Sequence, residues 1–207
     1  MYEAIKGMLM DHDLAPGARL SIDGIARELQ VSPTPVREAM TKLESDGLVA
    51  KRPHAGYIVA PLMDQVSLDN LYEMRLLLEP AAAELAAKHS TTAQQTELTT
   101  LIKDMSAHPA GDKYQAYRDF ATQDALLHRL IAEASRNPLI SDALTRLHAH
   151  THSYRLYFKV GIAEETMREH EDIVNAILQG KADEARAAMR RHLESSRDRL
   201  VKVYGQE

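Results

Sequence analysis

Cysteine is absent from the 207 residues of this sequence. Its absence excludes disulfides, thiolate metal ligands and cysteine nucleophiles, and it is typical of proteins from a reducing compartment. Any metal site must therefore use histidine and carboxylate side chains. The sequence also lacks a run of about 20 apolar residues, which a membrane span requires, and its N-terminus lacks the apolar core of a signal peptide. We therefore expect a cytoplasmic protein without a membrane segment.

A general excess of positive charge is also missing. The net charge is −5, and the first 60 residues hold seven Lys and Arg against eight Asp and Glu. Basic side chains nevertheless cluster in one stretch, which contains Arg37, Lys42, Lys51, Arg52 and His54. Because contacts to phosphate depend on lysine and arginine, this cluster predicts a local nucleic-acid surface rather than a wholly basic domain.

The glycine-containing motifs of several enzyme classes are absent. The nine glycines are scattered, so the sequence has no nucleophile elbow, no phosphate-binding glycine-rich loop and no dinucleotide fingerprint. These absences disfavour esterases of the elbow type, P-loop proteins and nicotinamide-dependent enzymes.

The first 60 residues show helix signals followed by a hairpin signal. Helices are predicted over 2–12, after an N-cap at Ser21, and from Pro33 to about Asp46 after an N-cap at Ser32. The short β-rich segments LVAKR and GYIVA are separated by Pro53-His54-Ala55-Gly56, which predicts a two-stranded hairpin. This order is that of a winged helix-turn-helix, which we assign to residues 1–62.

Helical periodicity continues beyond Pro61 to the end of the chain. We expect an all-α bundle over 63–207, so that the whole protein is mostly α-helical. Six helices are predicted, with breakers between them, at about 67–88, 92–106, 113–134, 138–159, 163–179 and 181–204.

Major-groove readers place the N-terminal end of a recognition helix against the bases, and a basic wing contacts the adjacent backbone. Such residues occur at the start of the third helix and in the hairpin. The candidates for DNA contact are Ser32, Thr34, Arg37, Lys51, Arg52 and His54. Arg37 can reach a guanine bidentately or a phosphate. A capped surface helix would explain the helix residues alone, but the basic hairpin favours DNA binding.

Ionisable residues lie on the apolar stripes of three predicted helices in the second half. Asp124 and His128 are four residues apart on one helix face, and His170 and His192 face inward from two other helices. One buried histidine is usually a satisfied core residue, but four such groups together would be costly without a cation. They predict a site for a divalent metal, with Zn²⁺ first and Ni²⁺ or Mn²⁺ as alternatives for mixed nitrogen and oxygen ligands.

Three further residues of this half are candidates for ligand binding. His148 and His152 are four residues apart in the predicted 138–159 helix, and they could replace two of the metal ligands or line the pocket beside them. Arg75 lies on an apolar stripe, where a guanidinium requires an anion. That anion is either a bound carboxylate or Glu79, four residues on and expected to be more exposed.

The segment PGARLSIDGIARELQVSPTPVREAMTKLESDGLV, followed by HAGYIV, resembles the winged helix of the GntR family. The resemblance implies DNA contacts from Ser32, Thr34, Arg37 and the wing around Ala55 and Gly56. Pro33 and Asp23 stand where many relatives have arginine, so the operator sequence stays open.

The second half resembles the FCD sensor domain of FadR-type GntR regulators, and six helices rather than seven resemble its VanR-like branch. The resemblance implies that Asp124, His128, His170 and His192 hold a metal whose coordination a small organic acid completes. It also implies a regulator, more often a repressor, that binds double-stranded operator DNA. We expect a homodimer on an imperfect palindrome, because one recognition helix reads only a few base pairs.

Two other classes of protein could contain some of these features. A metal-dependent hydrolase with an accessory nucleic-acid-binding domain could also use a His and Asp site. However, His170 and Glu171 are followed by Val174 where the HExxH pattern requires histidine, and no second carboxylate is obviously placed as a general base. A structural DNA-bending protein would leave the inward ionisable cluster unused. We therefore expect a regulator and not an enzyme.

Overall fold

The computed structural model describes residues 1–53, 56–105, 114–157 and 164–202, with the side chains of all but 114–117, 157 and 164. Ten helices and three strands lie within these ranges. No helix in this part of the chain is both long and apolar enough to cross a membrane.

The N-terminal unit combines three helices with a three-stranded antiparallel sheet. Its elements are α1 Tyr2–Met10, β1 Arg19–Leu20, α2 Ile22–Glu28, α3 Pro33–Ser45, β2 Val49–Arg52 and β3 Gly56–Val59. The strand order is β1-β3-β2. The predicted helices and hairpin are therefore present. Strand β1 was not predicted, because a two-residue strand has no readable alternation, and it forms only through pairing of Arg19 with Ile58 and of Leu20 with Tyr57.

Local capping sets the ends of α2 and α3. The Ser21 hydroxyl accepts a hydrogen bond from the Gly24 amide, as an N-cap should. Ser32 occupies the N-cap position of α3, but its side chain makes no capping bond, unlike our expectation. At the other end, Gly47 has a φ of +73°. The Leu48 amide bonds the Leu43 carbonyl at 2.9 Å, which closes α3 with the Schellman turn that glycine favours.

Seven helices form the second unit within the described residues. They are α4 Gln65–His89, α5 Thr92–Asp104, α6 Tyr114–Ala134, α7 Pro138–Leu147, α8 Ala149–Tyr157, α9 Glu164–Leu178 and α10 Ala182–Val201. Helix α4 packs most extensively on α10 and also contacts α6 and α9. This arrangement brings the inward faces of α4, α6, α9 and α10 together.

The prediction of six helices was wrong for one of them, the helix predicted over 138–159. His148 has a φ of +46°, in the left-handed region, and ends α7, so the predicted 138–159 helix is two helices. A left-handed residue changes the direction of the chain, and sequence periodicity on both sides of it does not report this. The VanR-like assignment rested on the count of six and stays a prediction.

Helix α8 contacts the N-terminal unit directly. The buried Arg155 donates hydrogen bonds to the carbonyls of Ala60 at 2.6 Å and Pro61 at 3.1 Å, in the segment that leads from β3 to α4. His152, on the same helix, lies against Gly47 at the end of α3. The helical unit therefore touches both the recognition helix and the connecting segment.

Candidate metal centre and DNA-contact surface

The four predicted metal ligands converge in the interior of the helical unit. Asp124 and His128 lie on α6, His170 on α9 and His192 on α10, and all four are buried. The imidazole ring centroids are 5.8 Å apart for His128 and His170, 5.1 Å for His128 and His192, and 4.7 Å for His170 and His192. Nitrogen atoms of the three histidines lie within 4.8 Å of one another, close enough to share one ion. We call these four residues the His–Asp cluster.

Asp124 lies among imidazoles. Its Oδ1 is 3.1 Å from His170 Nε2 and 3.9 Å from His128 Nε2. Burial raises the pKa of this carboxyl, but His150 and His170 outweigh burial and hold the pKa well below its usual value. Asp124 is therefore a carboxylate, able to ligate a cation.

His150 is a site residue that the sequence reasoning missed. Its Nδ1 is 2.8 Å from Asp124 Oδ2, and Asp124, His128 and His150 form a second group with metal-ligand spacing. In an unbroken 138–159 helix, His150 lies between the two histidines that share a face. Only the left-handed turn at His148 brings His150 toward Asp124, so the sequence carried no readable signal for it.

Arg75 pairs with Glu79, and both are buried. Arg75 Nε donates to Glu79 Oε1 at 2.5 Å, and the same carboxylate bonds His128 Nδ1 through Oε2. Glu79 is only 4% exposed, so our expectation of a more exposed partner was wrong. The α4 face that carries it is covered by α6, which periodicity on α4 alone does not report.

These contacts keep Arg75 and Glu79 charged in the interior. Burial lowers the pKa of Arg75, but the facing Glu79 carboxylate brings it above the usual arginine value. Burial raises the pKa of Glu79, but Arg75 and then His128 bring it below the usual range for glutamate. The anion that Arg75 requires is present within the protein.

His192 has a comparable partner on α9. His192 Nδ1 is 2.8 Å from Glu169 Oε2, and Arg199 donates to both oxygens of Glu169 at 3.0 Å. Burial raises the pKa of Glu169, but the bonds from His192 and Arg199 lower it to about 2. Burial lowers the pKa of His192 to about 3, so its imidazole is neutral at neutral pH. A neutral imidazole is the form that ligates metals.

A small cavity of about 20 Å³ adjoins the His–Asp cluster. Its lining comes from five helices and comprises Arg75, Phe120, Asp124, His150, Ser153, Tyr154, Thr166, His192 and Ser196. This volume holds about one water-sized group. A carboxylate could therefore reach Arg75 only with a shift of the surrounding side chains.

His148 and His152 lie outside the His–Asp cluster, since His148 is the left-handed residue that ends α7 and His152 lies on α8. His148 lines a larger cavity of about 190 Å³, together with His128 and His150. A Cβ placed on Gly47 would lie 3.4 Å from His152 Nε2, so His152 faces the N-terminal unit. Burial, followed by the charges of Arg155 and His148, lowers the pKa of His152 to about 4.

The donor atoms of the cluster fit a divalent metal. The buried Nε2 of His128 and both ring nitrogens of His170 have no hydrogen-bond partner among the described residues. Unpaired buried nitrogens are costly, and a cation that binds one nitrogen of each ring would compensate part of this cost. Three imidazoles and one carboxylate also match the ligand preference of Zn²⁺, Ni²⁺ and related ions.

Two protein families match this chain. The family described as "Bacterial regulatory proteins, gntR family" matches residues 1–59. The FCD domain matches residues 70–195, more than half of the chain. The chain belongs to the GntR family, with an FCD domain.

Relatives of this GntR protein match over most of its length. The HTH-type transcriptional regulator LutR of Bacillus subtilis is 31% identical over 93% of this chain and 96% of LutR. The HTH-type transcriptional repressor RspR of Escherichia coli is 28% identical over 94% of this chain and 84% of RspR. Both relatives are regulators, and neither supports the hydrolase alternative. The protein is a DNA-binding transcriptional regulator of the GntR family.

Solved structures of other proteins share the fold. Escherichia coli McbR/YncC aligns with a TM-score of 0.70 and 22% identity, over 99% of this chain and 95% of its own. A transcriptional regulator GntR from Rhodococcus sp. RHA1 aligns with a TM-score of 0.68 and 20% identity, over 97% and 95%. At these identities the likeness shows the fold alone. It confirms the predicted mostly α-helical class, with a helix-turn-helix unit before a helical FCD domain.

The GntR recognition helix presents the predicted polar residues at its N-terminal end. Ser32, Thr34 and Arg37 are all exposed there. Lys51 and Arg52 are exposed on β2. Gly56 begins β3 with a φ of +74°, which suits glycine at the wing turn. The predicted contacts His54 and Ala55 lie outside the described residues.

Proposed function

We propose that this GntR regulator binds its operator under the control of a small organic acid held at a metal site in the FCD domain. The observation that carries this proposal is the buried convergence of Asp124, His128, His170 and His192, with ring nitrogens that have no other described partner. These four residues would hold the ion, Zn²⁺ first and Ni²⁺ or Mn²⁺ as alternatives. The proposed division is 1–62 for DNA binding and 63–207 for sensing and dimerisation, in the cytoplasm.

The bound ion would supply positive charge for the oxygens of a carboxylate. Arg75 lines the adjoining cavity beside Asp124 and His192, so its guanidinium can face the same anion. Because Glu79 already bonds Arg75, an acid must share the guanidinium with Glu79 or displace it. The small cavity favours acids whose carboxylate end is compact.

A homodimer on a palindromic operator is the second part of the proposal. Val66 and Leu77 of α4 are large apolar side chains with exposed fractions of 67% and 65%. They are eleven residues apart, about three helical turns, so they lie on one outer face of α4. A second copy of this chain would cover that face, and two recognition helices would then read two half-sites. We propose a repressor, as the relative RspR is named.

Helix α8 supports a direct route from the sensing site to the DNA-binding unit. His150 contacts Asp124, and Ser153 and Tyr154 line the cavity beside the His–Asp cluster. On the same short helix, His152 and Arg155 contact Gly47 and the segment after β3. Movement of α8 on acid binding would therefore displace the recognition helix relative to the sensor. The same movement would change the spacing of two winged helices in a dimer.

Metal content tests the first part of the proposal. The purified protein should carry about one divalent ion per chain, and His170→Ala should lose it because a ligand is removed. His89→Ala is the matched control, since His89 is exposed at the end of α4. Elemental analysis of the three proteins gives the result. Wild-type protein that stays metal-free after incubation with Zn²⁺, or a His170→Ala protein as metal-rich as wild type, would contradict the site.

Operator binding tests the second part. An operator is first selected from random-sequence DNA with the wild-type protein, and binding is followed by fluorescence anisotropy. Arg37→Ala should lose sequence-specific binding, while Arg118→Ala, on α6 of the FCD domain, should keep it. A selected site without two-fold symmetry, or specific binding retained by Arg37→Ala, would contradict the proposal.

Acid titration tests the coupling. A panel of hydroxy acids, dicarboxylates, sugar acids and aromatic acids is titrated into metal-loaded protein, by calorimetry and against the operator complex. At least one acid should bind and weaken operator affinity by about 5- to 150-fold, the usual range of allosteric coupling. An acid that binds through the metal without changing operator affinity would show that the sensing proposal is wrong.

A further inference from the structure

Two histidines of the His–Asp cluster are held in the same way from different sides of the site. His128 bonds the Glu79 carboxylate through Nδ1, and Arg75 bonds the same carboxylate. His192 bonds the Glu169 carboxylate through Nδ1, and Arg199 donates two hydrogen bonds of 3.0 Å to the same carboxylate. Each imidazole thus ends a chain that runs from arginine through glutamate to histidine.

We propose that Glu79 and Glu169 are positioning residues of the metal site, which fix His128 and His192 as ligands through Nε2. This inference rests on the proposed metal site and adds residues to it that no ligand pattern identifies. Glu169 directly precedes the ligand His170 in the chain, so one turn of α9 supplies both a ligand and the support for another ligand.

The chemical reason lies in the two nitrogens of a neutral imidazole. One nitrogen carries a hydrogen and the other a lone pair, and only the lone pair can bind a metal. A carboxylate facing Nδ1 accepts its hydrogen and leaves the lone pair on Nε2. In His128, Nε2 is the buried nitrogen without another described partner. Support of this kind also fixes the ring plane and raises the basicity of the ligand.

The arginines keep each carboxylate in position. Arg199 is 13% exposed at its side chain and binds Glu169 bidentately, which restricts rotation of the carboxylate. Arg75 and Glu79 are held between α4 and α6, with side chains 3% and 5% exposed. Because the arginine already fixes each carboxylate, little further entropy is lost when the carboxylate orders its histidine. The ligands are therefore arranged before the metal binds.

His170 differs from the other two histidines. No described glutamate bonds either of its ring nitrogens, and its ring stacks on Phe120 with centroids 6.4 Å apart. Its Nε2 lies 3.1 Å from the fellow ligand Asp124. Packing, rather than a glutamate, orients this imidazole. Loss of a supporting glutamate should therefore weaken metal binding without abolishing it, since His170 and Asp124 remain in place.

Zn²⁺ affinity, measured by competition with a chromophoric chelator, tests the inference on the full-length protein. Glu169→Ala should bind Zn²⁺ about 10- to 100-fold more weakly than wild type, the usual effect of losing such a partner. Glu169→Gln should recover most of the affinity, because the amide oxygen can still accept the Nδ1 hydrogen. Glu171→Ala is the control, since Glu171 is exposed two residues further along the same helix.

The visible absorption spectrum of the Co²⁺-loaded protein gives a second readout, which reports ligand geometry rather than folding. Glu169→Gln and Glu171→Ala should match the wild-type spectrum, and Glu169→Ala should differ from it.

The outcomes separate this inference from the proposed function. Wild-type protein that binds no Zn²⁺ would contradict both. Tight wild-type binding with an equally tight Glu169→Ala protein would leave the metal site intact and overturn the positioning role. A Glu169→Gln protein as weak as Glu169→Ala would also overturn it, because hydrogen acceptance by the carboxylate would then not be what matters.

Discussion

At the residue scale, the protein buries an ion pair formed by Arg75 and Glu79. Arg75 and Glu79 are 2% and 4% exposed, and they compensate each other in a site where neither could remain charged alone. Glu79 also bonds His128, which joins this pair to the His–Asp cluster. Removal of Arg75 therefore leaves the buried Glu79 carboxylate with only the His128 imidazole beside it.

Arg75→Ala should destabilise the protein by about 3–5 kcal/mol, the usual cost of breaking a buried ion pair. The free energy of unfolding in urea, with a chelator present, measures this effect. Lys88→Ala is the control, because Lys88 pairs with Glu84 at a side-chain exposure of 47%, where a pair contributes about 0–1 kcal/mol. Equal effects of the two variants would mean that the buried pair is not held in solution.

His152 predicts a pH dependence of stability. Its pKa is about 4 in the folded protein, against an ordinary value of 6.5, because burial and then the charges of Arg155 and His148 disfavour the protonated form. Between these values the unfolded chain binds a proton that the folded protein does not, so stability falls as the pH falls.

Wild type should therefore lose more unfolding free energy than His152→Gln between pH 6.5 and pH 4. Denaturant unfolding of both proteins across this window gives the difference, and the other histidines are common to both. Parallel curves would show that His152 is not shielded from water.

At the scale of elements, α8 is a short helix with two functional faces. One face carries His150 and Tyr154 toward the His–Asp cluster, and the other carries His152 and Arg155 toward the winged helix. The left-handed residue at His148 makes this possible, because it separates the direction of α8 from that of α7. Gly47, which ends the recognition helix, is where α8 and α3 meet.

Gly47→Ala and Gly17→Ala should destabilise the protein by similar amounts. Both glycines have positive φ, +73° and +79°, so both variants incur the cost of about 1–2 kcal/mol for a left-handed non-glycine residue. A Cβ at Gly17 would meet nothing within 4 Å, and one at Gly47 would lie 3.4 Å from His152 Nε2, an ordinary van der Waals distance. Thermal unfolding of both variants measures the two costs. A much larger loss for Gly47→Ala that is relieved by adding His152→Ala would mean that His152 packs more tightly on this turn.

At the scale of the whole molecule, the two units share one set of buried apolar residues and a polar contact through Arg155. Burial lowers the pKa of Arg155 to about 10, which leaves it charged at neutral pH. Its hydrogen bonds run to backbone carbonyls in the connecting segment, so they hold the path of the chain between the winged helix and α4. A regulator that senses in one unit and acts in the other needs such a connection.

Arg155→Met should uncouple sensing from DNA binding. The variant keeps the His–Asp cluster, so it should bind metal and acid as wild type does. The acid should, however, no longer change the operator affinity of the variant. Calorimetry and operator anisotropy measure the two quantities on the same samples. Arg129→Met, on the exposed face of α6, should keep the wild-type coupling. Wild-type coupling in Arg155→Met would mean that α8 does not transmit the signal through this contact.

The sequence by itself determined those features that depend on local chemistry. Ser21 set the start of α2, Pro33 and Gly47 set the ends of α3, and the β-rich composition of GYIV set the wing strand. Inward spacing on three helices identified Asp124, His128, His170 and His192, because a helix face is a property of the sequence. The structure brings these four residues together, although their role as metal ligands stays a proposal.

Only the tertiary structure decided features that depend on neighbours distant in the chain. Strand β1 exists through pairing with β3, and Glu79 is buried because α6 covers it. The partnership of Glu169 with His192, 23 residues apart, follows from the packing of α9 on α10. The left-handed turn at His148 places His150 on Asp124 and His152 on Gly47. The periodicity of a single helix reports which of its faces is apolar, but not which residue of another helix that face will meet.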